Sequence, residues 1–120
     1  MKHEHDQIRA RLLAGIHDSV GHAAEPLDEL RSTQWCDEFE SLMRNRLLMG
    51  RFRYGALRRQ EKGGYNNIGS AIHRLKLYRR TGNLEHLVDA ANLCLVEFVT
   101  GDHPNRHFEA TDDGVHTDKV

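Results

Sequence analysis

The chain has little of what usually pins a small fold. Its 120 residues include two prolines, two cysteines and one tryptophan. Two cysteines, Cys36 and Cys94, make neither a disulfide framework nor a zinc knuckle. A reducing, intracellular setting is therefore expected, and we take it to be cytoplasmic. No apolar run approaches the roughly 20 residues that a membrane span requires. None follows Met1-Lys2-His3-Glu4-His5-Asp6 to make a signal peptide. No membrane partner is expected. No stretch alternates polar and apolar residues for long enough to suggest a strand, and no repeat is present. Neither common phosphate-loop pattern occurs, GxxxxGK(S/T) or GxGxxG. Nine histidines are scattered without the HExxH spacing of a zinc site. The best-spaced pair, His103 and His107, flanks Pro104, which argues against a helical geometry.

Net charge is also nearly absent, at −1. That figure conceals a segregation. Residues 44–80 hold eleven basic side chains against the single acid Glu61, a net +10. The rest of the chain holds six basic and seventeen acidic residues, a net −11. Charge divided in this way serves an anionic partner or a subunit interface. It can also be a solvated basic face neutralised by acidic arms of the same chain.

What is present in quantity is helical periodicity. Hydrophobic residues make up 38% of the chain, enough to exclude a disordered composition. Ile8, Leu12, Leu13, Ile16 and Val20 predict a first helix over about 4–20, closed by Gly21. A second helix is expected to start near Ser32 or Thr33, either of which can cap it, and to end near Gly50. Its apolar face is Trp35, Phe39, Leu42, Met43 and Leu47, with Trp35 expected in the core. Residues 50–66, rich in glycine and arginine, predict a long loop. A third helix runs from Asn66 or Asn67 to about Arg80, with Ile68, Ile72 and Leu75 on one face. Thr81-Gly82-Asn83 is a short helix–helix turn. A fourth helix, about 84–100, is apolar almost all round and should be buried on most sides, Cys94 included. The third and fourth helices are expected to form an antiparallel hairpin. Beyond Gly101 the chain predicts a polar tail, with Phe108 as an apolar anchor. The fold class is all-α: about four helices in one small bundle, with a long Gly/Arg loop. Its parts are an N-terminal helix and linker (1–25), a helical core (26–101) and the tail (102–120).

Glu85, Asp89 and Asn92 share one face of the fourth helix. Carboxylates on a mostly apolar helix need partners. Basic residues of the third helix, His73, Arg74 or Arg80, can supply them as an ion-pair network. Alternatively a hard cation such as Mg2+ can, with Asp37 and Glu40 adding ligands from the second helix. Both alternatives stand at this point.

Three motifs carry a family resemblance over residues 49–98. They are Gly50-Arg51-Phe52-Arg53-Tyr54-Gly55, Ile72-His73-Arg74-Leu75, and His86-Leu87-Val88-Asp89-Ala90-Ala91-Asn92. In order and rough spacing this stretch resembles the MazG-like all-α nucleotide pyrophosphohydrolases, closest to the phage-type dATP/dGTP diphosphohydrolase branch. The resemblance implies Mg2+-dependent hydrolysis of a nucleoside triphosphate at its α–β phosphate link. Asp37, Glu40, Glu85 and Asp89 would then hold metal, with Glu40 and Asp89 catalytic. Arg53, Lys62 and Arg74 would meet phosphate, and Tyr54 would stack on the base. The acidic motifs depart from the family pattern. Asp37-Glu38-Phe39-Glu40 lacks the third acid, and Glu85 to Asp89 is one residue longer than E-x-x-D. A shift of one residue turns a helical side chain by about 100°. These departures favour an alternative, a protein on the same scaffold that binds a nucleotide or cyclic nucleotide without hydrolysing it. The basic segment also allows a nucleic acid or an acidic protein as partner, the former disfavoured because no nucleic-acid motif accompanies it. The family and the small core both imply a homo-oligomer.

Overall fold

The computed structural model describes residues 2–16, 21, 23–56 and 65–110. The fold is all-α. Five helices and no strand are present among the described residues: α1 (Lys2–Ala14), α2 (Leu27–Thr33), α3 (Asp37–Tyr54), α4 (Asn67–Thr81) and α5 (Glu85–Thr100). None of these helices is long and apolar enough to cross a membrane. The chain divides into two units, one holding α1 and α2, the other spanning Cys36–Arg106.

In the first unit, α1 ends at Ala14 rather than near Val20. Gly15 and Ile16 close it with bonds back to Leu12 and Leu13. His17, Val20 and His22 lie outside the described residues. Arg9 extends from α1 and donates to the carbonyls of Ala23 and Glu25, the latter at 2.7 Å. His5 meets Asp28 at 3.3 Å. These contacts tie the segment before α2 back onto α1, and Leu27, the first residue of α2, is buried.

Ser32 and Thr33 do not start a helix, as their capping chemistry suggested. They end the short α2. Their hydroxyls donate backward to the Glu29 carbonyl at 3.0 and 2.7 Å, the alternative use of a short polar side chain. The cap of α3 is Cys36, whose Sγ accepts from the Phe39 N–H at 3.4 Å. Trp35 therefore precedes the helix instead of lying on its apolar face. It is 60% exposed and is not a core residue.

Gly50 does not end α3 either. A glycine inside a helix costs only about 1 kcal/mol relative to alanine, and the residues around it keep the helix going. The stop comes at Gly55, which takes φ +85°, a conformation that side-chain-bearing residues avoid. Arg58, Arg59, Glu61, Lys62, Gly63 and Gly64, expected in the loop, fall outside the described residues.

The α4–α5 hairpin forms as its sequence predicts. Asn66 caps α4 by accepting from the Gly69 N–H at 2.9 Å. Gly82 adopts the left-handed conformation (φ +73°) and Asn83 accepts from the Glu85 N–H at 3.1 Å. At the open end of the hairpin Asn67 donates to Glu97 at 3.2 Å, so the two helices run antiparallel. The helix α3 crosses α5 near Met43, whose carbonyl accepts from Asn92 Nδ2 at 2.9 Å.

The buried set of this unit is small: Ala71, Val88, Ala90 and Asn92. Cys94, expected inside, is exposed. After Gly101 the chain folds back, because Arg106 donates to the carbonyls of Phe98 and Gly101 at the C-terminal end of α5. A cation belongs at that negative end of the helix dipole. Phe108, expected as an apolar anchor, is 83% exposed.

Two glycine substitutions test these boundaries. In urea denaturation, Gly50→Ala is expected to raise stability by about 0.5–1 kcal/mol, since an alanine meets no atom there and suits a helix interior. Gly82→Ala is expected to lower it by about 1 kcal/mol, through its positive φ. Destabilisation at both positions would contradict a helix that continues through residue 50.

Candidate functional site

The polar residues of α5 were the sequence's clearest site signal, and their partner is Arg46 of α3. The Arg46 guanidinium donates from Nε to Asp89 Oδ1 at 3.0 Å and from Nη2 to Asp89 Oδ2 at 3.3 Å. Nη2 also meets Glu85 Oε1 at 3.1 Å. One planar fork thus serves both carboxylates, a geometry that favours arginine over lysine. The hydrogen bond that Arg46 donates to Asp89 holds its guanidinium charged above the ordinary arginine range, against the opposing pull of burial, and the charges of Asp89 and Glu85 add to it. His73, Arg74 and Arg80, the sequence-based choices of partner, make none of these contacts.

The partner was legible in one respect. Phe39, Met43 and Arg46 stand at spacings of four and three on the inward side of α3. A charge on an otherwise apolar stripe signals an opposite charge across the interface. What sequence does not provide is the crossing point that brings Arg46 to Asp89.

The four acids expected to hold Mg2+ are distributed differently. Glu85 and Asp89 lie together on α5, bridged by Arg46. Glu40 lies 3.7 Å from Arg44 one turn along α3. Asp37, at the start of α3, is nine residues before Arg46, about 13 Å along the helix axis. Among the described residues no group of three or more His, Cys, Asp and Glu side chains is placed to hold a metal ion. The Arg46 guanidinium stands where a cation between Glu85 and Asp89 would stand.

Two buried polar atoms on α5 lack a hydrogen-bond partner among the described residues, Asn92 Oδ1 and His86 Nδ1. Asn92 is only 7% exposed, and its amide donor is engaged with Met43.

The expected phosphate and base contacts gather elsewhere. Tyr54 ends α3 and Tyr65 precedes α4, and their rings meet edge to face with centroids 5.6 Å apart. The guanidinium of Arg53 lies 5.8 Å from the Tyr54 ring centroid, within cation–π range. Both tyrosines are exposed. The two ends of the Gly/Arg stretch are therefore brought together by an aromatic pair with a cation above it. Arg74 sits half-buried on α4, and Lys62 lies outside the described residues. Arg51, Arg53, Lys76, Arg79 and Arg80 are exposed, whereas among the described residues of the basic segment Arg44 and Arg46 make ion pairs.

No family model, no curated protein and no solved structure matches this chain.

Replacing Arg46 by alanine leaves two carboxylates facing each other without a counter-charge. We expect Arg46→Ala to lower the free energy of unfolding by about 1–3 kcal/mol, and Arg44→Ala, at an exposed i, i+4 pair, by no more than about 0.5 kcal/mol. A folded-state pKa raised above the unfolded value contributes stability that is complete below the unfolded value and is lost as pH rises through the folded one. The difference between wild type and Arg46→Ala should therefore be the same at neutral and mildly alkaline pH. Equal effects of the two alanine variants would contradict the bridging role of Arg46.

Proposed function

We propose that this chain binds a nucleotide or cyclic nucleotide without hydrolysing it, on a helical scaffold of MazG-like type. The observation that carries this reading is the engagement of Glu85 and Asp89 by Arg46. Acids already paired with a guanidinium are taken by a metal only in competition with that pairing. A metal entering between them would displace charge-assisted bonds and leave the Arg46 guanidinium without its partners. The exposed cations remain available for phosphate, and guanidinium groups suit it through paired N–H donors. The Arg53–Tyr54–Tyr65 cluster supplies a cation beside aromatic faces, the combination that accepts a phosphate and a base together. Mg2+-dependent hydrolysis is the competing reading, and its product distinguishes the two.

Titration calorimetry with ATP, dATP and a cyclic nucleotide, with and without Mg2+, tests the proposal. Binding is expected without metal, with the ligand recovered intact by chromatography. Tyr54→Ala or Arg53→Ala should weaken it by roughly tenfold, the loss of one stacked base or one charged hydrogen bond. Release of nucleoside monophosphate and pyrophosphate in Mg2+ would overturn the non-hydrolytic reading. No heat with any of the three ligands would overturn nucleotide binding altogether. Tight binding of an oligonucleotide that falls steeply with salt, without binding of mononucleotides, would point to nucleic acid instead.

A further inference from the structure

The helix α5 has its polarity turned inside out. Its charged and amide side chains point at neighbouring helices: Asp89 and Asn92 toward α3, Glu97 toward α4. Its open side is apolar. Leu87, Cys94 and Phe98 recur at spacings of seven and four and so form one stripe, with Cys94 and Phe98 exposed, Phe98 at 69%. A second stripe runs along α4, where Ile68, Ile72 and Leu75 are each about half exposed.

The two stripes lie on the same side of the hairpin. On α4 the line toward α5 runs through Asn67 and the buried Ala71. At about 100° per residue its apolar stripe lies a quarter-turn further on. On α5 the line toward α4 runs through the buried Ala90 and Glu97, and its stripe again lies a quarter-turn on in the same sense. For antiparallel helices, quarter-turns of the same sense emerge on the same side. One face of the hairpin carries α3, joined through Asp89 and Asn92, and the opposite face presents both stripes. Arg79, at the turn end, is the charged side chain in line with them.

We propose that this face packs against the same face of a second copy of the chain. A stable domain needs two layers around one core, and no large side chain is fully buried among the described residues. The six apolar residues expose on the order of 500 Å² per chain. That is about the apolar share of a standard interface, which buries about 800 Å² per partner. A two-fold interface requires a patch that is complementary to itself, and a nearly uncharged stripe pair meets that condition, as hairpin on hairpin does in a four-helix bundle. The reading is independent of the nucleotide proposal, because Arg53, Tyr54 and Tyr65 are not part of this face.

Sedimentation equilibrium of the full chain at micromolar concentration tests it. The wild type is expected to be a dimer. Ile72→Asp and Phe98→Asp should each weaken dimerisation at least tenfold with helical circular dichroism retained. Phe52→Asp, at an 87% exposed residue of α3, should leave it unchanged. A monomeric wild type would overturn the proposal, and so would aspartate variants that stay folded and dimeric. Should those variants lose their helical signal, alkylation of Cys94 in a Cys36→Ser background decides. Protection that disappears on dilution supports the interface. Reactivity independent of concentration overturns it, including the uniform protection expected if a segment of the same chain covered the face.

Discussion

A single arginine organises the unit from Cys36 to Arg106. Arg46 reaches from α3 to Asp89 and Glu85 of α5, and the neighbouring Asn92 anchors the same crossing through the Met43 carbonyl. Carboxylates on an apolar helix are tolerated only where their charge is answered. Because the answer comes from α3, that helix must cross α5 at this point. Because the polar side of α5 is taken up by its neighbours, its apolar side is left facing outward. The thin buried set of Ala71, Val88, Ala90 and Asn92 and the exposed stripes of the hairpin are two aspects of one arrangement.

The same pairing decides how charge is used. The acids that composition and motif mark as metal ligands are held by a guanidinium or placed apart. Arg51, Arg53, Lys76, Arg79 and Arg80 are exposed. Among the described residues, the positive charge of the 44–80 segment is reduced by ion pairing at Arg44 and Arg46. The excess that remains is what a phosphorylated ligand would meet. Its aromatic companions, Tyr54 and Tyr65, stand at the two ends of the Gly/Arg stretch.

The hairpin was legible from sequence because its signals are local. Asn66, Gly82 and Asn83 act within three or four residues of themselves, and their chemistry permits few alternatives. Signals with two local uses were less decisive. Ser32 and Thr33 can cap a following helix or donate to a preceding turn, and they do the latter. Gly50 and Gly55 both end a helix in principle, but only Gly55 adopts the positive φ that does so. Side chains whose fate depends on distant packing were not legible. Trp35, Cys94 and Phe108 have the composition of core residues, yet are exposed within this chain. Periodicity identifies an apolar face without saying whether its own chain covers it. The acidic face of α5 was legible as a site in need of a partner. Arg46 was not named as that partner, since the choice depends on where α3 crosses.

The account rests on direct coupling between Arg46 and Asp89, and a double-mutant cycle measures it. Urea denaturation of the wild type, Arg46→Ala, Asp89→Ala and the double variant isolates the pairwise interaction. A favourable coupling of about 1–3 kcal/mol, unchanged by added Mg2+, is the result expected of a structural bridge. Coupling near zero, together with a Mg2+-dependent rise in stability that vanishes in Asp89→Ala, would contradict it and return these carboxylates to a metal.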